Sequence, residues 1–269
     1  WSTGLPGSAT AGELEVGPDG TVARLSVAGA GPAGSDAARA GLAELREELV
    51  PAAFGSLAGV STAVTGGTAG DVDFGATMAQ RLPVVIGFVL ALTVVVLTVA
   101  FRSLAVALIA AALTLLSVAA AYGVLVLVFQ STWAEGLLGF TSTGTIVSWI
   151  PLFLFVVLFG LSMDYHVFVV SRVREATQAG IPLRLAVTTG VSRSAGVVTS
   201  AAVVMVAVFG IFATLSMLEF KQLGVGLAVA VLVDATLVRG VLLPAAMAAL
   251  GERTWWVPRW LRWLPAPRH

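Results

Sequence analysis

From residue 82 onward the chain alternates long uninterrupted apolar runs with short polar joints, whereas residues 1–79 mix apolar and polar positions as a water-facing domain does. The runs are Leu82–Phe101, Leu104–Phe129, Trp149–Ser171, Ala195–Leu215 and Gly224–Leu250. Each is near or above the roughly 20 residues that cross a bilayer as a helix. Five membrane-spanning helices are predicted, and an odd number puts the two ends of the chain on opposite sides. Before them, Glu13–Val16 and Thr21–Val27 alternate around Gly17-Pro18-Asp19-Gly20, the pattern of a β-hairpin. Ser35 is placed to cap a helix through about Leu49, with Leu42, Leu45 and Leu49 as its apolar stripe and Pro51 closing it. A short strand over Val60–Val64 and a small-residue turn, Thr65–Asp71, complete half of an α+β sandwich. A segment this small buries little surface alone, so it is expected to share a sheet with chain not present here. Trp1, with no Met and no leader before it, fits a piece of something longer.

Between the spans, Gln130–Ser148 with Trp133 and Trp149 reads as an interfacial turn. Glu175–Val191 reads as a short surface helix broken by Gly180-Ile181-Pro182. The tail from Trp255 to Pro265 mixes indoles with arginines, as an interfacial anchor does. The resulting division is residues 1–79, a bundle over 80–252, and a tail over 253–269.

Composition agrees with a membrane protein: 58% of the 269 residues are hydrophobic and 11% charged, against about a quarter charged in soluble chains, and mean hydropathy is +0.96. The 15 basic and 15 acidic residues cancel, so nothing in the charge points to nucleic acid. Cysteine is absent and the only histidines are His166 and His269, which leaves no thiolate or His-rich metal site and no cofactor. Position matters more than balance. Arg102, Arg172, Arg174, Arg184, Arg193, Arg253, Arg259, Arg262 and Arg268 all fall on the tail's side, against Arg81 and Lys221 near the spans on the other. By the positive-inside rule the tail is cytoplasmic and residues 1–79 extracytoplasmic.

The third run carries the candidate chemistry. Asp164, Tyr165 and His166 stand inside it, and Phe153, Val157, Gly160, Asp164 and Phe168 share one helical face. Seven residues separate Asp164 from Ser171, roughly 10 Å at helical rise, too deep for a short carboxylate to reach water by bending. Such residues serve a pathway, a relay or a partner; the other reading is that Asp164 accepts hydrogen bonds from a neighbouring helix and holds packing. Asp234, in the fifth run, is open between a structural pair with Arg239 and a role in proton or helix coupling. Ser192, Ser194, Thr199 and Ser200 either bond helix to helix or hold a proton-carrying water.

Phe159-Gly160-Leu161-Ser162-Met163-Asp164-Tyr165, Ser171-Arg172-Val173-Arg174-Glu175, Thr65-Gly66-Gly67-Thr68-Ala69, Phe101-Arg102-Ser103, Lys221–Gly226, Val233-Asp234-Ala235-Thr236 and the final Trp255–Trp260 occur in an order that resembles the MMPL transporters of the resistance-nodulation-division superfamily. The likeness runs from about Glu13 to Pro265. It implies the C-terminal half of a twelve-span, proton-driven exporter of lipids or other hydrophobic compounds in the bacterial plasma membrane. Residues 1–79 would close the second extracytoplasmic porter domain, and the five runs would be spans eight to twelve. Asp164 and Tyr165 match the family's span-ten pair, which passes protons together with an Asp-Tyr pair in span four of the missing N-terminal half. Two departures stand out: the family commonly has Glu where this chain has His166, and Leu104–Ala107 replaces a proline-containing turn. His166 either faces Asp164 and favours its ionised form or is a neutral bystander toward lipid or the cytoplasmic boundary. Two other classes compete. An intramembrane aspartyl protease would pair Asp164 with Asp234, but the glycine expected directly before the acid is absent; a non-transporting scaffold or lipid-sensing bundle would need no partner half.

Overall fold

The computed structural model describes residues 11–256 except 30, 32 and 33. The chain divides into two compact units, one within Trp1–Ala79 and one from Gln80 onward.

In the first unit, strands β1 (Ala11–Val16) and β2 (Ala23–Val27) pair antiparallel, with Leu14 opposite Leu25 and Val16 opposite Ala23. The turn between them works because Gly20 takes φ 67°, a conformation costly for other residues. Asp19 closes it, accepting from the Thr21 amide and hydroxyl at 3.2 and 2.6 Å. The Thr21 hydroxyl bond holds the Asp19 carboxyl below its ordinary range. Helix α1 (Asp36–Glu44) starts at Ser35, whose Oγ accepts from the Ala38 amide at 3.2 Å, satisfying one of the free N–H groups of the first turn.

Pro51 does not end this helix. A π-helical turn, Leu45–Leu49, leads into α2 (Val50–Phe54), which contains Pro51 in its first turn, where the missing N–H costs least. Val60–Val64 is not a strand either: the Val64 carbonyl is taken by Arg46 Nη2 at 3.0 Å. The same guanidinium grips Asp73 with two bonds of 2.6 and 2.8 Å. The turn expected over Thr65–Asp71 is already helical from Gly67, and only Gly66, with φ 132°, serves as a turn.

Five helices are long and apolar enough to cross a membrane among the described residues, as predicted, and the fold is that of a mostly α, multi-pass membrane protein. They are α3 (Gly67–Phe101), α4 (Leu104–Phe129), α6 (Ile150–Gln178), α7 (Leu183–Phe212) and a fifth run from Leu218 to Trp255. The fifth comprises α8 (Leu218–Val233), a π-helical stretch Asp234–Leu242, α9 (Leu243–Leu250) and a 3₁₀ turn Gly251–Trp255. A short α5 (Glu135–Leu138) interrupts the loop before α6. No separate surface helix occupies Glu175–Val191: α6 runs on to Gln178, Gly180 turns the chain at φ 83°, and α7 begins directly after Pro182. The tail from Val257 lies outside the described residues.

The core lies among α4, α6, α7 and α8, around Leu125, Phe129, Leu154, Phe155, Phe159 and Leu227. Close approach is made by glycines. A Cβ on Gly190 would fall 2.9 Å from the Val173 amide, and one on Gly224 would fall 2.6 Å from the Phe209 carbonyl. Outward faces are apolar as well, as Val84, Phe88, Leu92, Val95 and Val99 along α3 illustrate, the arrangement expected where the solvent is hydrocarbon.

Lys221 and Gln222, buried at the start of α8, fix the loop before α6. Lys221 Nζ donates to the Leu138 carbonyl and, at 3.4 Å, to that of Ala213. Gln222 accepts from the Val147 amide at 3.0 Å and donates to the Thr145 carbonyl at 3.3 Å. Gln222→Leu would leave both backbone groups without partners, so a loss of about 2 kcal/mol is expected. Faster amide exchange at Val147 is the measurement; unchanged protection would refute it.

Candidate functional site

Successive residues of α6 point about 100° apart, and the structure separates the three candidates accordingly. Asp164 is exposed, on the face that also leaves Phe153 and Gly160 uncovered. Among the described residues it has neither a hydrogen bond nor an ion pair, so none of the described helices holds it as a hydrogen-bond acceptor. His166 is turned to the opposite side with Ser162, at 1% and 4% exposure. It is buried inside the bundle, facing neither Asp164 nor the lipid or cytoplasmic boundary that the two sequence readings gave it. Tyr165 lies between the two sides.

The inward side of α6 meets a buried ion pair. Asp234 and Arg239 join through Oδ2 and Nη2, with side chains 9% and 6% exposed. In an α-helix residues five apart point about 140° away from one another. Here the segment is π-helical, and i to i+5 hydrogen bonding stacks such residues on one face. The backbone irregularity is what allows the pair.

Ser162 links α6 to it. Its hydroxyl donates to Asp234 Oδ1 at 3.1 Å and lies 3.3 Å from Thr114 Oγ1, while its carbonyl accepts from Arg239 Nη2 at 3.3 Å. Ser117 adds a longer bond to Asp234 at 3.4 Å. His166 Nδ1 stands 2.9 Å from the same Ser162 carbonyl and 3.2 Å from the Ser162 hydroxyl. Because a carbonyl only accepts, Nδ1 carries the hydrogen, and Nε2 is left buried without a partner. Tyr165 completes the group: the Arg239 guanidinium stands 4.5 Å from its ring centre, a cation–π distance, and its hydroxyl points to Met205 Sδ at 3.9 Å. Thr114, Ser117, Ser162, Tyr165, Asp234 and Arg239 border one cavity of about 10 Å³ for a water's centre, room for about one water.

The hydroxyl cluster of α7 does not assemble. Ser194 is buried and donates to the Gly190 carbonyl at 2.9 Å, while Ser200 is exposed and donates to the Val197 carbonyl at 3.1 Å. Each bonds its own helix, and Ser192 and Thr199 are exposed. The structure therefore brings Tyr165, His166, Asp234 and Arg239 together, and keeps Asp164 and Ser200 apart from them. Sequence reasoning missed Ser162, Thr114 and Ser117 as members. A hydroxyl one turn before His166 in an otherwise apolar helix was the available signal.

The chain is similar to the mycolic acid-containing lipids exporter MmpL11 of Mycolicibacterium smegmatis, with 45% identity over 84% of this chain and 23% of that protein. It is 46% identical to the heme uptake protein MmpL11 of Mycobacterium tuberculosis over 74% of this chain and 20% of that one. It is 32% identical to the trehalose monomycolate exporter MmpL3 of M. smegmatis over 76% and 20%. The chain thus spans about a fifth to a quarter of the length of these relatives. The MMPL family profile matches residues 6–268, so this membrane protein belongs to the MMPL family.

Proposed function

We propose that the chain is the C-terminal half of a proton-driven transporter that exports lipids or other hydrophobic compounds, with Asp164 and Tyr165 as its proton relay. The observation that carries this reading is Asp164 itself: a carboxylate midway along a membrane-crossing helix, on a face that this chain leaves bare. A charge there costs several kcal/mol to keep out of water, and no neighbour among the described residues compensates it. A partner half bearing a second Asp-Tyr span would cover that face. Names of relatives support a lipid cargo, since two are described as exporters of mycolic acid-containing lipids and of trehalose monomycolate. Such a role requires no enzyme active site. The arginine distribution supports a cytoplasmic C-terminus with residues 1–79 outside, as the end of a porter domain.

In this mechanism Asp164 takes a proton from the extracytoplasmic side. Tyr165, the next residue along α6, holds its ring against the Arg239 guanidinium, and in this proposal it is the side chain through which a change of charge at Asp164 is felt at the Asp234–Arg239 pair. Loss of the desolvation cost on protonation is large enough to shift a two-state bundle by orders of magnitude. Asp234 then couples helix packing to the relay, and His166 holds Ser162 in place for it.

The test uses the complete parent protein in proteoliposomes with a fluorescent lipid substrate and an imposed pH gradient. Asp164→Asn is expected to abolish gradient-driven export, by a factor of about 100 or more, while the protein remains folded and inserted. Export by the mutant at the parent's rate would refute the relay. If the pair only packs, Asp234→Asn would weaken stability with export per folded molecule intact.

A further inference from the structure

One cluster of cationic and donor groups lies outside this site, where α3 ends, α4 begins and the last run stops. The chain bends sharply there. Arg102, between α3 and α4, is the one non-glycine residue with positive φ (46°) among the described residues, a conformation retained where surroundings require it. Ser103 caps α4, accepting from the Val106 amide at 3.1 Å and donating to the Thr254 carbonyl at 2.5 Å. The Leu104 amide donates to the Trp256 carbonyl at 3.3 Å. The 3₁₀ turn is thereby strapped across the α3–α4 junction.

Arg174, from the far part of α6, reaches into this corner. Its Nη1 donates to the Ala100 carbonyl at 3.3 Å, one of the carbonyls that the end of α3 leaves without a helical partner. Its Cζ stands 5.8 Å from the Trp255 ring centre. No carboxylate pairs with Arg174 among the described residues, in contrast to its neighbour Arg172, which holds Glu175 at 2.9 Å. Arg174 thus stands at a corner that also holds the positive end of the α4 dipole. The Trp255 indole Nε1, which can only donate, is buried there with no acceptor among the described residues.

We propose that this corner binds the phosphodiester of an anionic phospholipid. The chemistry required is a compact anion that only accepts hydrogen bonds. The Arg174 guanidinium gives it short charge-assisted bonds, and the indole N–H supplies a further donor. Place argues for a lipid over a free anion. These groups stand at the ends of three membrane-crossing runs, at the level where headgroups lie and where tryptophan is enriched. Acyl chains would then run along the apolar outer surface of the bundle.

The experiment is native mass spectrometry of the full-length parent protein titrated with phosphatidylglycerol, phosphatidylcholine or inorganic phosphate. Phosphatidylglycerol is expected to bind about tenfold more tightly than phosphatidylcholine. Arg174→Gln should remove most of that preference, and Trp255→Phe, which keeps the ring and removes the donor, should weaken it about fivefold. Because Trp255→Phe keeps an aromatic ring in that position, it carries the test if Arg174→Gln does not fold. Equal phosphatidylglycerol binding by the parent and both variants overturns the site. Arg174-dependent binding of inorganic phosphate without a preference for phosphatidylglycerol overturns its lipid occupant. None of these readouts depends on export, so a failure of the proton-relay reading would leave them unaffected.

Discussion

Arg239→Met is expected to destabilise the protein by about 3–5 kcal/mol, because it leaves the Asp234 carboxylate buried with only hydroxyl partners. Those partners are Ser162 at 3.1 Å and Ser117 at 3.4 Å, and neither supplies a positive charge. The same substitution removes the cation above the Tyr165 ring. The double variant Asp234→Leu/Arg239→Met is expected to recover most of the loss, since replacing both members of a buried pair with apolar groups is often neutral or favourable. Thermal unfolding midpoints of the parent, the single and the double variant in one detergent decide it. A double variant no more stable than the single would mean that the pair's own attraction, and not the stranded charge, dominates.

Gly224→Val is expected to cost about 3 kcal/mol, the upper end of the usual cost of overpacking. The added Cβ would stand 2.6 Å from the Phe209 carbonyl and 2.7 Å from the Ala213 amide. Both are backbone atoms of the adjoining helix and its end, so no side-chain rotation relieves the clash, and α8 must move away from α7. Membrane helices rely on such small residues because lipid gives little hydrophobic push between them. Gly210 on α7 is the control: nothing lies within 4 Å of a Cβ there, so Gly210→Ala should leave the midpoint unchanged or slightly raised. Equal effects at the two positions would show that the α7–α8 contact is not tight in the folded protein.

Five spans, the hairpin and the Ser35 cap were all legible in the sequence, and each had a local cause: an apolar run of sufficient length, a Gly-Pro-Asp-Gly turn, a hydroxyl ahead of a helix. The Asp234–Arg239 pair was legible as an option, although its geometry depends on a π-helical backbone that five-residue spacing does not announce. Helix starts were harder. Gly67–Arg81 and Leu183–Ser194 carry polar and small residues that resemble joints, yet both belong to helices that continue into apolar runs. The rotation of α6 was not legible at all. Its outer faces are as apolar as its inner ones, so hydrophobic periodicity supplies no phase, and only the positions of the polar side chains against neighbouring helices reveal which way His166 turns.

The five residues from Ser162 to His166 form a stretch in which tolerance to substitution has an unusual origin. Ser162 is committed to Asp234 and Arg239, Met163 to two apolar clusters, Tyr165 to Arg239 and His166 to Ser162. Four neighbours out of five are thus occupied, leaving a single free sector of about one residue's width, and Asp164 fills it. A helix with one working face leaves the other open to mutational drift; this stretch leaves none except at the residue for which packing within the chain gives no reason. Whatever holds an aspartate at position 164 is therefore something other than packing among the described residues.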